Sequence, residues 1–124
     1  MFEDDYIMRQ IKECCAAVLR LVFHINVESP ATLLIKDKQK QDVATRLTDL
    51  IDDGKIREAM AELDSETADK TLDDLLIGYR FYTHLCQKDD DFLEKYMLKY
   101  SDIEYEMKQF FSKYASSEVV DLLM

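Results

Sequence analysis

Five side chains of this 124-residue chain are of types that ligate soft metals or form nucleophile–base pairs: Cys14, Cys15, Cys86, His24 and His84. A structural zinc site takes four such ligands, usually as C-x-x-C or H-x-x-x-H pairs, and neither spacing occurs. His84 and Cys86 are two apart and leave a helix on different faces. Adjacent Cys14 and Cys15 diverge by about 100° on a helix, which opposes a bridge between them. The cysteines therefore read as small buried hydrophobes, and their odd number fits a reducing compartment. A di-iron bundle wants Glu three residues before each His; Leu21 and Phe81 stand there instead. Asp89-Asp90-Asp91 lacks the alternating acids, central Gly and closing Glu of a calcium loop, and reads as a helix cap. Asp73 with Asp74, and Glu104 with Glu106, could act as general acids or bases only in a pocket that shifts their ionisation. Catalytic, metal-binding and cofactor-binding residues are accordingly all assigned as none, and no cofactor is expected.

Those side chains must be positioned by helices. The chain has 2 Gly and 1 Pro, far below average usage, and tight β-turns depend on such residues. A sandwich or barrel of short strands is excluded, as are Gly-rich phosphate loops, because Gly54 and Gly78 cannot spell either glycine pattern. Asp4 or Asp5 is the expected cap of a first helix whose apolar positions Ile7, Ile11, Cys14, Val18, Leu21 and Ile25 recur every three to four residues. Met8, Cys15, Leu19 and Val22 form a second stripe beside it. This helix is apolar over far more than the usual stripe of about 100°, so it is expected to be the central helix or to make a subunit contact.

Pro30 breaks the chain, with Ser29 as cap of a short helix over 31–35. Val43, Leu47, Leu50 and Ile51 carry the next helix, which Gly54 terminates; Ile56, Ala59, Met60 and Leu63 carry its partner in a hairpin with a very short turn. Leu72, Leu75, Leu76, Tyr79, Tyr82 and Cys86 mark a further helix that contains Gly78. Phe92, Leu93, Tyr96 and Met97 mark a short one capped by the three Asp. A last helix capped by Ser101 or Asp102 carries Ile103, Met107, Phe110, Phe111 and Tyr114. The apolar tail Val119 to Met124 is expected to pack back onto the body. The fold class read from this is all-α: one compact domain, residues 1–124, a bundle of about six helices.

Charge narrows the partners. Lys and Arg number 16 against 26 Asp and Glu, a net charge of −10. The one local run of bases, Lys36, Lys38 and Lys40, is interrupted by Asp37, so no nucleic acid is expected. The most apolar stretch, Cys14 to Val27, contains Arg20, His24 and Asn26 and falls short of the roughly 20 apolar residues that span a membrane. Glu3, Asp4 and Asp5 stand where a secretory signal places positive charge, so the expected location is cytoplasmic.

Two resemblances follow from particular residues. Gly54, Ala59 and Leu63, within Asp52-Asp53-Gly54-Lys55-Ile56-Arg57-Glu58-Ala59, resemble the turn of one tetratricopeptide hairpin: Gly ends one helix and the small Ala admits the second. The match lacks that pattern's small residue in the first helix and its closing proline, and a stack needs about three repeats. More broadly, Asp5-Tyr6-Ile7-Met8-Arg9-Gln10-Ile11-Lys12, the Gly54 turn, Phe81-Tyr82-x-x-Leu85 and Asp90-Asp91-Phe92-Leu93-Glu94 resemble a family of small helical bacterial proteins of unknown function. That resemblance implies a cytoplasmic, all-helical protein and carries no mechanism. The segment from Ser112 to Met124 has no counterpart in it.

The expected function is a protein-protein interaction or self-association module, with no enzymatic activity. Its expected contact stripe is Met8, Cys15, Leu19 and Val22, toward a protein partner or a homodimer mate crossing the same helix. The alternative is a small-ligand binder or enzyme with a pocket lined by acids and by tyrosines such as Tyr82. A third reading, an acidic mimic of nucleic acid, requires carboxylates at phosphate-like spacing on one face.

Overall fold

The computed structural model describes residues 2–115, with side chains from Asp5 onward. Six α-helices and one short 3-10 turn at Pro30–Thr32 make up the regular structure of these residues: α1 (Phe2–Leu21), α2 (Lys38–Asp52), α3 (Ile56–Glu66), α4 (Leu72–Cys86), α5 (Asp90–Lys95) and α6 (Tyr100–Ser112). The chain is an all-α bundle. The tail from Val119 to Met124 lies outside the described residues.

Local chemistry explains most of the boundaries. The Asp37 carboxylate accepts the Gln39 N–H at 2.8 Å and opens α2; the Asp89 carboxylate accepts the Phe92 N–H at 2.8 Å and opens α5. Thr71 and Asp74 open α4 reciprocally, each side chain accepting the other's backbone N–H. Several expected boundaries shift. The short helix expected over 31–35 is a 3-10 turn at Pro30–Thr32, and Ser29 stands at its cap position without a side-chain cap hydrogen bond. Helix α1 starts at Phe2, so Asp4 and Asp5 lie in its first turn rather than at its cap, and it ends at Leu21, before Ile25. Its end is closed by the Ile25 N–H donating to the Leu19 carbonyl, with His24 at φ 59°. Helix α6 starts one residue before Ser101, because Asp102 reaches back to accept the Lys99 N–H at 2.9 Å. A residue near a helix start can cap from the first turn as well as from the cap position, which spacing alone does not distinguish.

The hub of the bundle is α4. It packs against α1, α2, α3 and α6, and Leu75, Leu76, Ile77, Phe81 and Leu85 are all buried along it. The wide apolar surface of α1 is covered by α4 and α6, so α1 is a large inner wall and α4 takes the central place. Gly78 lies where α4 meets α6, and a Cβ there would land on the Phe110 ring. The aromatic packing continues from that point: Tyr82 lies 5.8 Å from Phe110 between ring centroids, and Phe111 and Tyr114 flank Phe110 at 5.3 and 5.4 Å. Tyr82 is thus a core residue, its hydroxyl donating to the Glu106 carbonyl at 3.3 Å, and burial pushes its ionisation well above the ordinary range. It does not line a pocket.

Candidate functional site

An open groove of about 780 Å³ lies where the start of α1 meets α5 and the start of α6. Its apolar lining comes from Tyr6 and Ile7 of α1, Leu93 of α5, Met97 and Leu98 of the following turn, and Tyr100 of α6. Ile7, Leu93 and Tyr100 are buried and anchor these segments to the core; Tyr6 and Met97 are 48% and 85% exposed. Asp90, Glu94 and Glu104 bring carboxylates to the lining, against the single cation Lys99. Glu104 also meets Lys108 one turn along α6, at 3.3 Å.

The turn holding Met97 is built by backbone hydrogen bonds. The Met97 N–H donates to the Glu94 carbonyl at 3.0 Å and the Leu98 N–H to the Leu93 carbonyl at 2.8 Å. This is the Schellman arrangement, whose penultimate position takes the left-handed conformation and is usually Gly. Helix α2 ends in the same arrangement: Gly54 donates to Ile51 at 2.9 Å and Lys55 to Leu50 at 2.9 Å. There the left-handed residue is Gly54, at φ 81°; in α5 it is Met97, at φ 59°.

Two other clusters join titratable groups that are distant in sequence. The Lys40 ammonium, on α2, lies 2.8 Å from Asp74 Oδ1 and donates to the Glu66 carbonyl at the end of α3, at 2.7 Å. The contact with Asp74 is an ion pair. Asp74 is fully buried, and its carboxylate raises the Lys40 pKa. Lys40 is therefore a clamp on three helices rather than one of a run of loop bases. At the other end of α4, Asp52 Oδ1 meets both His84 Nε2 at 2.7 Å and the Lys88 ammonium at 2.5 Å, and Lys88 lies 5.0 Å above the Phe92 ring.

Lys88 first, and His84 beside it, hold the Asp52 carboxyl below its ordinary ionisation range. A lowered folded-state pKa contributes stability above the unfolded value, and that contribution is lost as pH falls through the lowered one. Asp52→Asn is therefore expected to destabilise the chain near neutral pH and to lose its effect as pH falls below about 4. Asp52 is about half exposed, so the neutral-pH loss is expected to stay at or below about 1 kcal/mol. Urea melts of both proteins at several pH values measure it.

The thiols are poorly suited to nucleophilic work. Cys14, Cys15 and Cys86 are buried; burial pushes Cys14 up to about 12 and raises Cys15 further, whereas a reactive cysteine needs a lowered pKa. Among the described residues no group of three or more His, Cys, Asp or Glu could hold a metal ion, and no helix is long and apolar enough to cross a membrane.

The four residues of the expected contact stripe part company. Cys15 and Leu19 are sealed inside the chain's own core, Met8 is half-buried against it, and Val22 is 39% exposed beside Leu21, which is 52% exposed. Contact through Cys15 or Leu19 would require α4 or α6 to move away. The groove instead takes Tyr6 and Ile7, immediately before Met8. The sequence carries no distinct signal for it, because every described helix except α2 ends without a Gly.

No curated protein and no solved structure matches the chain. A family model does match, over residues 1–115, which takes in Ser112 to Ala115, the start of the segment in which the sequence showed no family motif. The chain belongs to that family, DUF6483, a family of unknown function.

Proposed function

We propose that this protein is an interaction module that holds a segment of another polypeptide in the groove between α1, α5 and α6. One observation carries the reading: Met97, 85% exposed, stands on a left-handed backbone at the groove, beside Tyr6 and above buried apolar residues. Large apolar side chains gathered at one concave place mark contact surfaces, and methionine adapts to varied partners.

The groove also has the composition of the alternative, a ligand site lined by Tyr6 and Tyr100 with Asp90, Glu94 and Glu104. Small-molecule sites enclose most of their ligand's surface. This groove is open rather than enclosed, and Tyr6 and Met97 at its edge are exposed, which favours a polypeptide segment over an enclosed small molecule. A second reading, a homodimer, draws on the adjacent exposed Leu21 and Val22 at the end of α1.

Site-specific photocrosslinking separates these readings. A benzophenone side chain is placed at position 97, at position 22, and at Asp49 on the outer face of α2, in cells that make the protein. The expected result is a discrete adduct with a different polypeptide from position 97 and none from position 49. An adduct of twice the chain's mass from position 22 alone would replace the groove reading with the homodimer. A folded chain without polypeptide adducts from either site would overturn the interaction reading.

A further inference from the structure

We infer that the occupant of the groove is a cationic amphipathic helix, and that Met97 is held on a left-handed backbone as its apolar anchor. The inference rests on the interaction reading above and adds the partner's chemistry. The groove offers an apolar floor of Ile7, Leu93, Leu98 and Tyr100 and three carboxylates, Asp90, Glu94 and Glu104, against Lys99. Lys108 offsets part of the Glu104 charge, but Asp90 and Glu94, one turn apart on α5, keep the lining negative. An apolar helix face with Lys or Arg along its flanks satisfies both features.

The same charges argue against the other occupants. A second copy brings another net −10 and the same carboxylates to the contact. Residues 116–124 of the chain itself are apolar enough, but their charged members are Glu118 and Asp121, with no Lys or Arg. An anionic lipid surface is repelled in the same way.

Met97 supplies the second, independent argument. Helices α2 and α5 close with the same hydrogen-bond pattern, yet one uses Gly54 at the left-handed position and the other Met97. A Cβ makes that conformation costly, and a side chain that is 85% exposed returns little to the fold. His24 and Lys70 take the same conformation near the ends of α1 and α3; Met97 differs in placing a large, exposed apolar side chain at the groove, and there the strain points to a contact made elsewhere. Glycine at position 97 should therefore leave the fold at least as stable and remove the anchor.

The test uses the full chain and two synthetic helical peptides with the same leucine face, one flanked by lysines and the other by glutamates, both fluorescently labelled. The lysine peptide is expected to bind at least about tenfold more tightly than the glutamate peptide, and to weaken as salt rises. Met97→Gly, which leaves net charge unchanged, is expected to weaken the lysine peptide by about tenfold, with a melting temperature at or above wild type. Asp90→Asn with Glu94→Gln is expected to narrow the discrimination between the peptides. Asp49→Asn with Glu58→Gln, equal in charge but on α2 and α3, is expected to leave it intact. Equal loss from both charge pairs, or undiminished binding to Met97→Gly, would overturn the inference by showing attraction to net charge alone. Failure here is distinguishable from failure of the interaction reading: a position-97 crosslink to an acidic or neutral segment keeps the groove and overturns the cationic partner, whereas no crosslink overturns both.

Discussion

Lys40→Met is expected to lower the unfolding free energy by about 3–5 kcal/mol, because it leaves the Asp74 carboxylate buried without its counter-ion. Asp74 is fully buried at the start of α4, whereas the Lys40 side chain is partly exposed. That difference makes the two halves of the pair unequal. Asp74→Asn removes the buried charge, keeps a side-chain oxygen to accept the Thr71 N–H, and leaves an ammonium that can turn toward water. Its expected cost is clearly smaller than that of Lys40→Met. Lys40 also caps the end of α3 through the Glu66 carbonyl, so its loss releases an orphan acceptor as well. Urea unfolding followed by circular dichroism measures both variants. Equal losses from the two would show that the pair acts as packing rather than as charge compensation.

Gly78→Ala is the second large effect. In an exposed helix, Ala in place of Gly stabilises by up to about 1 kcal/mol. Here the new methyl group would meet the Phe110 ring, which is itself almost fully buried among Tyr82, Phe111 and Tyr114. An aromatic ring closed in on all sides cannot turn aside, so α4 and α6 must separate. Overpacking of this kind costs about 1–3 kcal/mol, and the net result is expected to be a loss. The pair should also couple: Gly78→Ala combined with Phe110→Leu is expected to be more stable than the sum of the two single changes, by about 0.5 kcal/mol or more. Additive losses would mean that the helices do not meet through these two residues.

Both effects concern residues whose role the sequence conceals to different degrees. Gly78 stands out in the sequence as a residue that weakens a helical run, but nothing there names Phe110 as its neighbour. Lys40 gave no such sign. It reads as one of three spaced lysines in a charged stretch, and its partner Asp74 reads as one of two adjacent acids near a helix start. Only the packing of α2 against α4 turns those two surface-like residues into a buried pair.

The groove follows the same pattern. Its floor residues Ile7 and Leu93 belong to stripes read from the spacing, and in the structure both are core, as is Tyr100. The mouth takes its lining from α1 and from α5, α6 and the turn between the last two, regions far apart in the chain that only the tertiary structure brings together. The stripe of Met8, Cys15, Leu19 and Val22 shows the converse. A second apolar face on α1 can serve a partner or the chain itself, and hydrophobic burial is non-directional. The sequence cannot say whether that face is covered; in the structure Cys15 and Leu19 are buried within the chain's own core.

What the sequence determined by itself is therefore local. The shortage of Gly and Pro, the three-to-four spacing of apolar residues, and caps such as Asp89 and Gly54 specify helices and many of their ends, because each depends on chemistry within a few residues. Tertiary structure alone decided which helix is central, which apolar face is covered, which acid is buried with which lysine, and where the acidic apolar groove opens. These depend on contacts between residues far apart in the chain, whose energies are set by relative helix placement. The physical reason is that periodicity encodes a direction of burial, whereas a site requires several such directions to converge.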